Sequence, residues 1–174
     1  MSEFIHFPSL EIKIEQDSDS VTYTFVGDVD ENFDHQRVLQ HQVDQKIQKN
    51  TIIFKLAEIN NFNSCGIREW SFFVKEISKM SKLILKECSV PMVDQINMIP
   101  DSMGTGKIES FYAPYYCECA GEVNQLIDVN QYYTELEQRC APNFSCQTCG
   151  KNLDFDALEE SYFMFLDGNV NKAG

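Results

Sequence analysis

Five of the seven cysteines, Cys117, Cys119, Cys140, Cys146 and Cys149, fall within a stretch of 33 residues, and this clustering is the strongest chemical signal in the chain. Cys146-Gln147-Thr148-Cys149-Gly150-Lys151 has the form of a zinc knuckle. A two-residue spacing lets both thiolates face one ion, and the following glycine permits the tight turn that aims backbone N–H groups at sulfur. Tyr116-Cys117-Glu118-Cys119-Ala120-Gly121 supplies a second pair, but its cysteines are separated by one residue, which strains the same geometry, and Cys140 is an alternative to Cys119. The expected ligands are therefore Cys117, Cys119, Cys146 and Cys149, and the expected ion is Zn²⁺. Four thiolates would close the coordination sphere, so such an ion would stabilise folding rather than activate water. Two other readings compete for the cluster: a metal-free ribbon with buried thiols, and thiol redox chemistry.

Other constellations do not carry through. Asp28-Val29-Asp30-Glu31-Asn32-Phe33-Asp34 brings four carboxylates into seven residues, but Phe33 stands where a calcium loop needs glycine and Leu39 where it needs glutamate. Acidic residues at the start of a helix, where the dipole favours them, are the better account. Gly104-Thr105-Gly106-Lys107 lacks the first glycine of a phosphate loop, and Ile108 replaces the hydroxyl that would hold Mg²⁺. His6, His35 and His41 have no partner at a catalytic spacing and read as surface or packing residues.

The elements that position these residues follow from hydrophobic periodicity. Leu10, Ile12 and Ile14 alternate with charged residues, and Val21, Tyr23 and Phe25 alternate with threonines, which predicts two strands joined by the turn Asp17 to Ser20. A sparse apolar stripe, Phe33, Val38, Leu39, Val43 and Ile47, predicts a helix from about Asn32 to Gln48. The run Thr51 to Leu56 predicts a central strand, followed by a loop over residues 60–66. Ile67, Trp70, Val74 and Ile77 stand at helical spacing. Lys82 to Lys86 predicts another strand, and Ser89-Val90-Pro91 opens a helix with a hydroxyl cap and a first-turn proline, ending before Pro100. After a flexible border, Asp101 to Gly106, Lys107 to Tyr116 reads as extended. Val123, Leu126, Ile127 and Val129 suit a ribbon strand. Asp156 with Glu159 matches a helix N-terminal box leading into Ser161-Tyr162-Phe163-Met164-Phe165-Leu166, an apolar stretch that packs back onto the ribbon or the sheet.

Composition bounds the function. The chain has 174 residues, 43% of them hydrophobic, enough for one domain with an appendage. Fourteen basic against 27 acidic residues give a net charge of −13, which would repel polyphosphate and anionic membranes alike, so neither nucleic acid nor a membrane is an expected partner. No stretch approaches the length of a membrane helix and no secretion signal is evident, so a reducing, cytoplasmic location is expected, where clustered cysteines bind metal rather than form disulfides.

The order hairpin, helix, strand, Asn63-Ser64-Cys65-Gly66-Ile67-Arg68-Glu69-Trp70, helix, strand, helix resembles the sulfate-transporter and anti-sigma-factor-antagonist (STAS) domain over roughly residues 8–112. Asn63-Ser64-Cys65-Gly66 occupies the place of that family's Asp-Ser-Ser/Thr-Gly turn. Phe25-Val26-Gly27-Asp28-Val29-Asp30 resembles the glycine-containing exit of its second strand. Phe155-Asp156-Ala157-Leu158 is similar to the end of Cys-rich tails joined to such domains in bacteria. The resemblance implies a module that docks a regulatory protein partner through the helix-start surface, with phosphorylation there releasing the partner. Cys65 stands where the phosphorylated hydroxyl would be and Ser64 reads as a cap or buried hydrogen-bonding group, so the switch is expected to be lost.

The expected architecture is thus α/β, a mixed β-sheet with helices packed on it (STAS-like) over residues 8–112, plus a small zinc-ribbon-like subdomain with a terminal helix over 113–174. The expected function is noncatalytic protein binding in bacterial signalling or regulation. Asn63, Ser64, Cys65, Gly66, Arg68 and Glu69 form the partner face, and structural Zn²⁺ is the cofactor. The alternatives are a small-ligand (nucleotide) binding domain and a thiol-dependent enzyme or redox sensor using Cys65 or the clustered cysteines. The sequence leaves the partner and the oligomeric state open.

Overall fold

A computed structural model describes residues 2–47 and 49–168; the last residue of the predicted first helix, Gln48, and residues 169–174 of the predicted tail lie outside the described residues. The main sheet has six strands in sequential order: β1 (Ser2–His6), β2 (Leu10–Gln16), β3 (Ser20–Val29), β4 (Thr51–Phe62), β5 (Lys82–Lys86) and β6 (Lys107–Ile108). β1, β2 and β3 pair antiparallel, and β3 to β6 run parallel. The helices α1 (His35–Asp44), α2 (Ser64–Met80) and α3 (Val90–Met98) fill the crossovers. Because the parallel strands step in one direction and such crossovers are right-handed, all three helices lie on the same face. The mixed α/β architecture is the one the sequence predicts.

The buried face is written in alternation. Ile12, Ile14, Val21, Tyr23, Phe25, Ile52, Phe54, Leu56, Leu83 and Leu85 point toward the helices, while the residues between them point away. On α2 the spacing of Trp70, Phe73, Val74 and Ile77 puts all four against the sheet. Trp70 meets Phe25 and Phe62 edge-on, with centroids 5.2 and 5.8 Å apart, and Phe73 stacks on Phe54 at 5.4 Å. Each such buried side chain contributes about 1.5–3 kcal/mol relative to its exposed state.

Several elements differ from their predicted form. β1 was not legible, being short and preceded by little context. α1 is shorter than its apolar stripe, because the Asp34 carboxylate caps it by accepting from Gln36 and Arg37 N–H; Phe33 packs before the helix, and Val43 is exposed. The predicted loop over 60–66 is strand and helix joined at Asn63: a register shift lets Ile59, Asn61 and Phe62 pair with Gly27, Asp28 and Val29. The predicted flexible border is pinned, since Pro100–Met103 forms a 3₁₀ turn whose buried Ser102 accepts from the Trp70 indole at its carbonyl and from Gln95 at its hydroxyl.

A second sheet of order β8-β7-β9 carries the cysteines: β7 (Ser110–Cys117), β8 (Gly121–Asp128) and β9 (Asp154–Phe155). The boundary expected at residues 112 and 113 falls inside β7. Cys88 N donates to Ser110 O and Tyr112 N to Cys88 O, so β7 continues the ladder of the main sheet, and one hydrophobic core runs through both sheets. α4 (Tyr133–Glu137) occupies the segment between the cysteine pairs. The predicted box at Asp156 does not form: Asp156 N donates to Pro114 O, α5 spans only Glu159–Tyr162, and Glu159 accepts from Ala141 N instead. The apolar stretch does pack inward, with Tyr162, Phe163, Phe165 and Leu166 buried.

Gly66 marks the closest approach of α2 to the sheet: a Cβ there would lie 1.9 Å from the Val29 carbonyl oxygen. Gly66→Ala must push the helix off β3, and urea denaturation is expected to show unfolding free energy lowered by about 1–3 kcal/mol. An unchanged midpoint would mean that the helix start does not depend on this contact.

Candidate metal centre

Two hairpin turns bring the four sulfurs together. The first follows β7: Cys117 ends the strand opposite Gly121, and Glu118, Cys119 and Ala120 form a three-residue turn closed by Ala120 N donating to Cys117 O. Gly121 sits at φ +71°, the left-handed position that such a turn requires. The second turn is the knuckle. Ser145 bridges Asn152, Cys146 N donates to Lys151 O, Gly150 N donates to Cys146 O, and Gly150 has φ +72°. The single-residue spacing of the first pair is therefore accommodated: one cysteine is on the strand and the other in the turn, and both reach one point.

The sulfurs of Cys117, Cys119, Cys146 and Cys149 all lie within 4.8 Å of one another. Cys117 Sγ is 3.5 Å from Cys119 Sγ and 3.6 Å from Cys149 Sγ, and Cys119 Sγ is 3.5 Å from Cys146 Sγ. A tetrahedron with metal–sulfur bonds of about 2.3 Å has edges of about 3.8 Å, so the cluster is nearly at coordination size and well beyond disulfide bonding distance. Cys117 and Cys146 are buried, whereas Cys119 and Cys149 are exposed, which sets the centre at the edge of the second sheet.

The electrostatics suit a cation. Backbone N–H groups of Cys149 and Thr148 point at the Cys146 sulfur and bring its pKa down to about 6. Its neighbour Cys119 is pushed up by the sulfurs of Cys149, Cys117 and Cys146. The first negative charge is thus favoured and further ones are opposed, an opposition that a bound cation relieves. Soft sulfur donors in this number suit zinc or iron. Cys140 lies outside the cluster, exposed after α4 with its thiol toward Gln138 O, so the choice between it and Cys119 is resolved for Cys119.

The other predicted site residues gather at the start of α2 with unequal roles. Asn63 caps the helix by accepting from Gly66 N at 2.9 Å and also donates to Glu31. Ser64 and Cys65 are exposed in the first turn, so Ser64 is neither the cap nor buried. Gly66 is buried against β3 and has no surface to offer a partner. Arg68 is exposed, while Glu69 is held 2.6 Å from His35 Nδ1. The sequence missed this pair, and likewise His41 with Glu3 and His6 with Glu11, because the partners are on different elements or strands.

No family model matches the chain, and no curated protein matches it.

The geometry puts Cys119 among the four candidate ligands and Cys140 outside them. Purified Cys119→Ser protein is expected to retain less metal by elemental analysis and to lose it to a weaker chelator, with Cys140→Ser unchanged. Equal losses in the two variants would contradict the cluster as drawn.

Proposed function

We propose that the protein is a noncatalytic binding module, similar to STAS-type regulators, that recognises a protein partner at the start of α2 and carries structural Zn²⁺ on its second sheet. The observation that carries the reading is the exposure of Ser64, Cys65 and Arg68 on a helix start held rigidly from beneath by the Asn63 cap and the buried Gly66. A backbone already fixed at the surface loses little conformational freedom on binding, which favours recognition by a preformed face. Among the described residues Cys65 has no hydrogen bond, and His35 is engaged with Glu69, so no base is hydrogen-bonded to the thiol. Cys65 in place of a hydroxyl removes the acceptor of a phosphorylation switch, and partner binding is then constitutive or controlled elsewhere. Zinc is the ion that best suits four thiolates closing the coordination sphere, where its role is to hold two turns together.

The test combines three measurements. A photo-crosslinker at Arg68 is expected to capture a discrete polypeptide in native extract that a crosslinker at Gln40 on α1 does not, and Ser64→Asp is expected to reduce that capture. Equilibrium dialysis against a nucleotide panel is expected to show no saturable binding. Elemental analysis is expected to give one zinc per chain. Saturable nucleotide binding blocked by Arg68→Glu would replace this reading with the small-ligand one, and iron in place of zinc would overturn the structural role of the metal.

A further inference from the structure

The face of the main sheet that carries no helix has an unusual composition. Strand register aligns Phe4, Lys13, Thr24, Lys55 and Lys86 in one row across β1 to β5, and Ser2, Glu15, Thr22, Ile53, Ile84 and Lys107 in the adjacent row across β1 to β6. Lys82 lies on the same face beside Thr51. Five of the chain's fourteen basic residues therefore stand on one surface of a protein with 27 acidic residues. Lys55 and Lys86 are direct neighbours on parallel strands, a like-charge placement that a sheet disfavours. Glu15 pairs with Lys13 at 2.8 Å and Glu109 with Lys86 at 3.1 Å, but among the described residues Lys55, at the centre, is exposed and has no ion pair.

The second observation is apolar. Ile53 and Ile84 are opposite each other on this face, and Ile84 is only 9% exposed although no helix covers it. Parallel strands are almost always covered on both faces, because only antiparallel sheets readily leave one side to water. Here the parallel block β3 to β6 has helices on one face alone.

We infer that this open face is a docking surface for an acidic polypeptide segment with alternating apolar residues, extended across Lys13, Lys55 and Lys86 and seated on Ile53 and Ile84. The lysine row supplies the charge complementarity, with Lys82 and Lys107 on the same face, and half-buried Ile53 rather than Ile84 supplies the apolar area still open to water. The net charge of −13 opposes a densely charged nucleic acid more strongly than a short segment whose acidic residues are spaced by apolar ones. The surface is separate from the helix start, so this inference does not depend on the partner proposed there.

The metal-loaded full chain is titrated with a fluorescent peptide alternating glutamate and valine, with binding followed by anisotropy and mapped by amide chemical shifts. Expected are saturable binding that weakens with salt, shifts at Thr22, Thr24, Ile53, Lys55, Ile84 and Lys86, and weaker binding of the glutamine-for-glutamate peptide. Lys55→Glu is expected to reduce affinity by at least about tenfold with an unchanged melting temperature, and Lys55→Ala to fall between. Arg68→Glu is expected to bind the peptide as the native protein does, which separates this surface from the other. Absence of binding, shifts confined to the helical face, tighter binding of a single-stranded oligonucleotide, or a dimer in sedimentation that Lys55→Glu dissolves would each overturn the proposal.

Discussion

Trp70 fixes the height of α2 above the sheet, and the placement of the turn after α3 and of the exposed helix start both depend on that height. Its ring is fully buried among Phe25, Phe33, Phe54, Phe62 and Phe73, with centroids between 5.2 and 6.3 Å away. Mostly edge-on or tilted contacts of this kind add to the area term because the positive edge of one ring meets the negative face of another. The indole N–H would be an orphan in so apolar a site, and it is satisfied by the Ser102 carbonyl at 2.8 Å. That single bond ties the turn after α3 to the middle of α2. One helical turn earlier, Gly66 touches β3, so the exposed positions Ser64, Cys65 and Arg68 are set by packing from below rather than by anything on the surface.

The cysteine-bearing sheet is joined to this body by backbone rather than by a linker. β7 hydrogen-bonds to Cys88 on both sides, and Cys88 is a packing residue: burial pushes its thiol far above the usual range, so it stays neutral. The last described turn closes the same seam. Tyr162 OH donates to Tyr112 O, Asn97 donates to Tyr162 O, and Phe165 N donates to Asn97 on α3. Burial raises the Tyr162 hydroxyl pKa as well, which keeps it a donor. The cysteine cluster therefore lies at the end of a strand whose other end belongs to the main sheet's hydrogen-bond ladder.

Local pattern made most of the main sheet legible. Alternation at Leu10 to Ile14 and Val21 to Phe25, and the spacing of Trp70, Val74 and Ile77, gave strand and helix directly, since each is fixed by which face must leave water. The knuckle at Cys146 and Cys149 was legible for a similar reason, because its chemistry is contained in four residues. What the sequence hid depends on distant partners. Asn61 and Phe62 looked like loop because their strand partners, Asp28 and Val29, are more than thirty residues earlier. Asp156 looked like a cap until Pro114 claimed its N–H. The competition between Cys119 and Cys140 could not be decided by spacing, since it turned on where the β7 hairpin folds back. The lysine row is visible only in register: Lys13, Lys55 and Lys86 have no common period along the chain.

The size and charge of the second sheet say what a bound ion would add to it. β9 has two residues, β8 is an edge strand with Leu126 exposed, and α4 is a little over one turn, so local structure contributes little. Residues 113–168 carry ten carboxylates and two basic side chains, which repel one another on compaction. Units this small rarely bury enough apolar surface to offset chain entropy and are held by disulfides, metals or a neighbouring core. The shared core anchors Tyr162, Phe163, Phe165 and Leu166, and a metal on the four cysteines would hold two turns separated by a segment of residues 120–145. Closing that long loop on an ion would remove freedom from the unfolded chain.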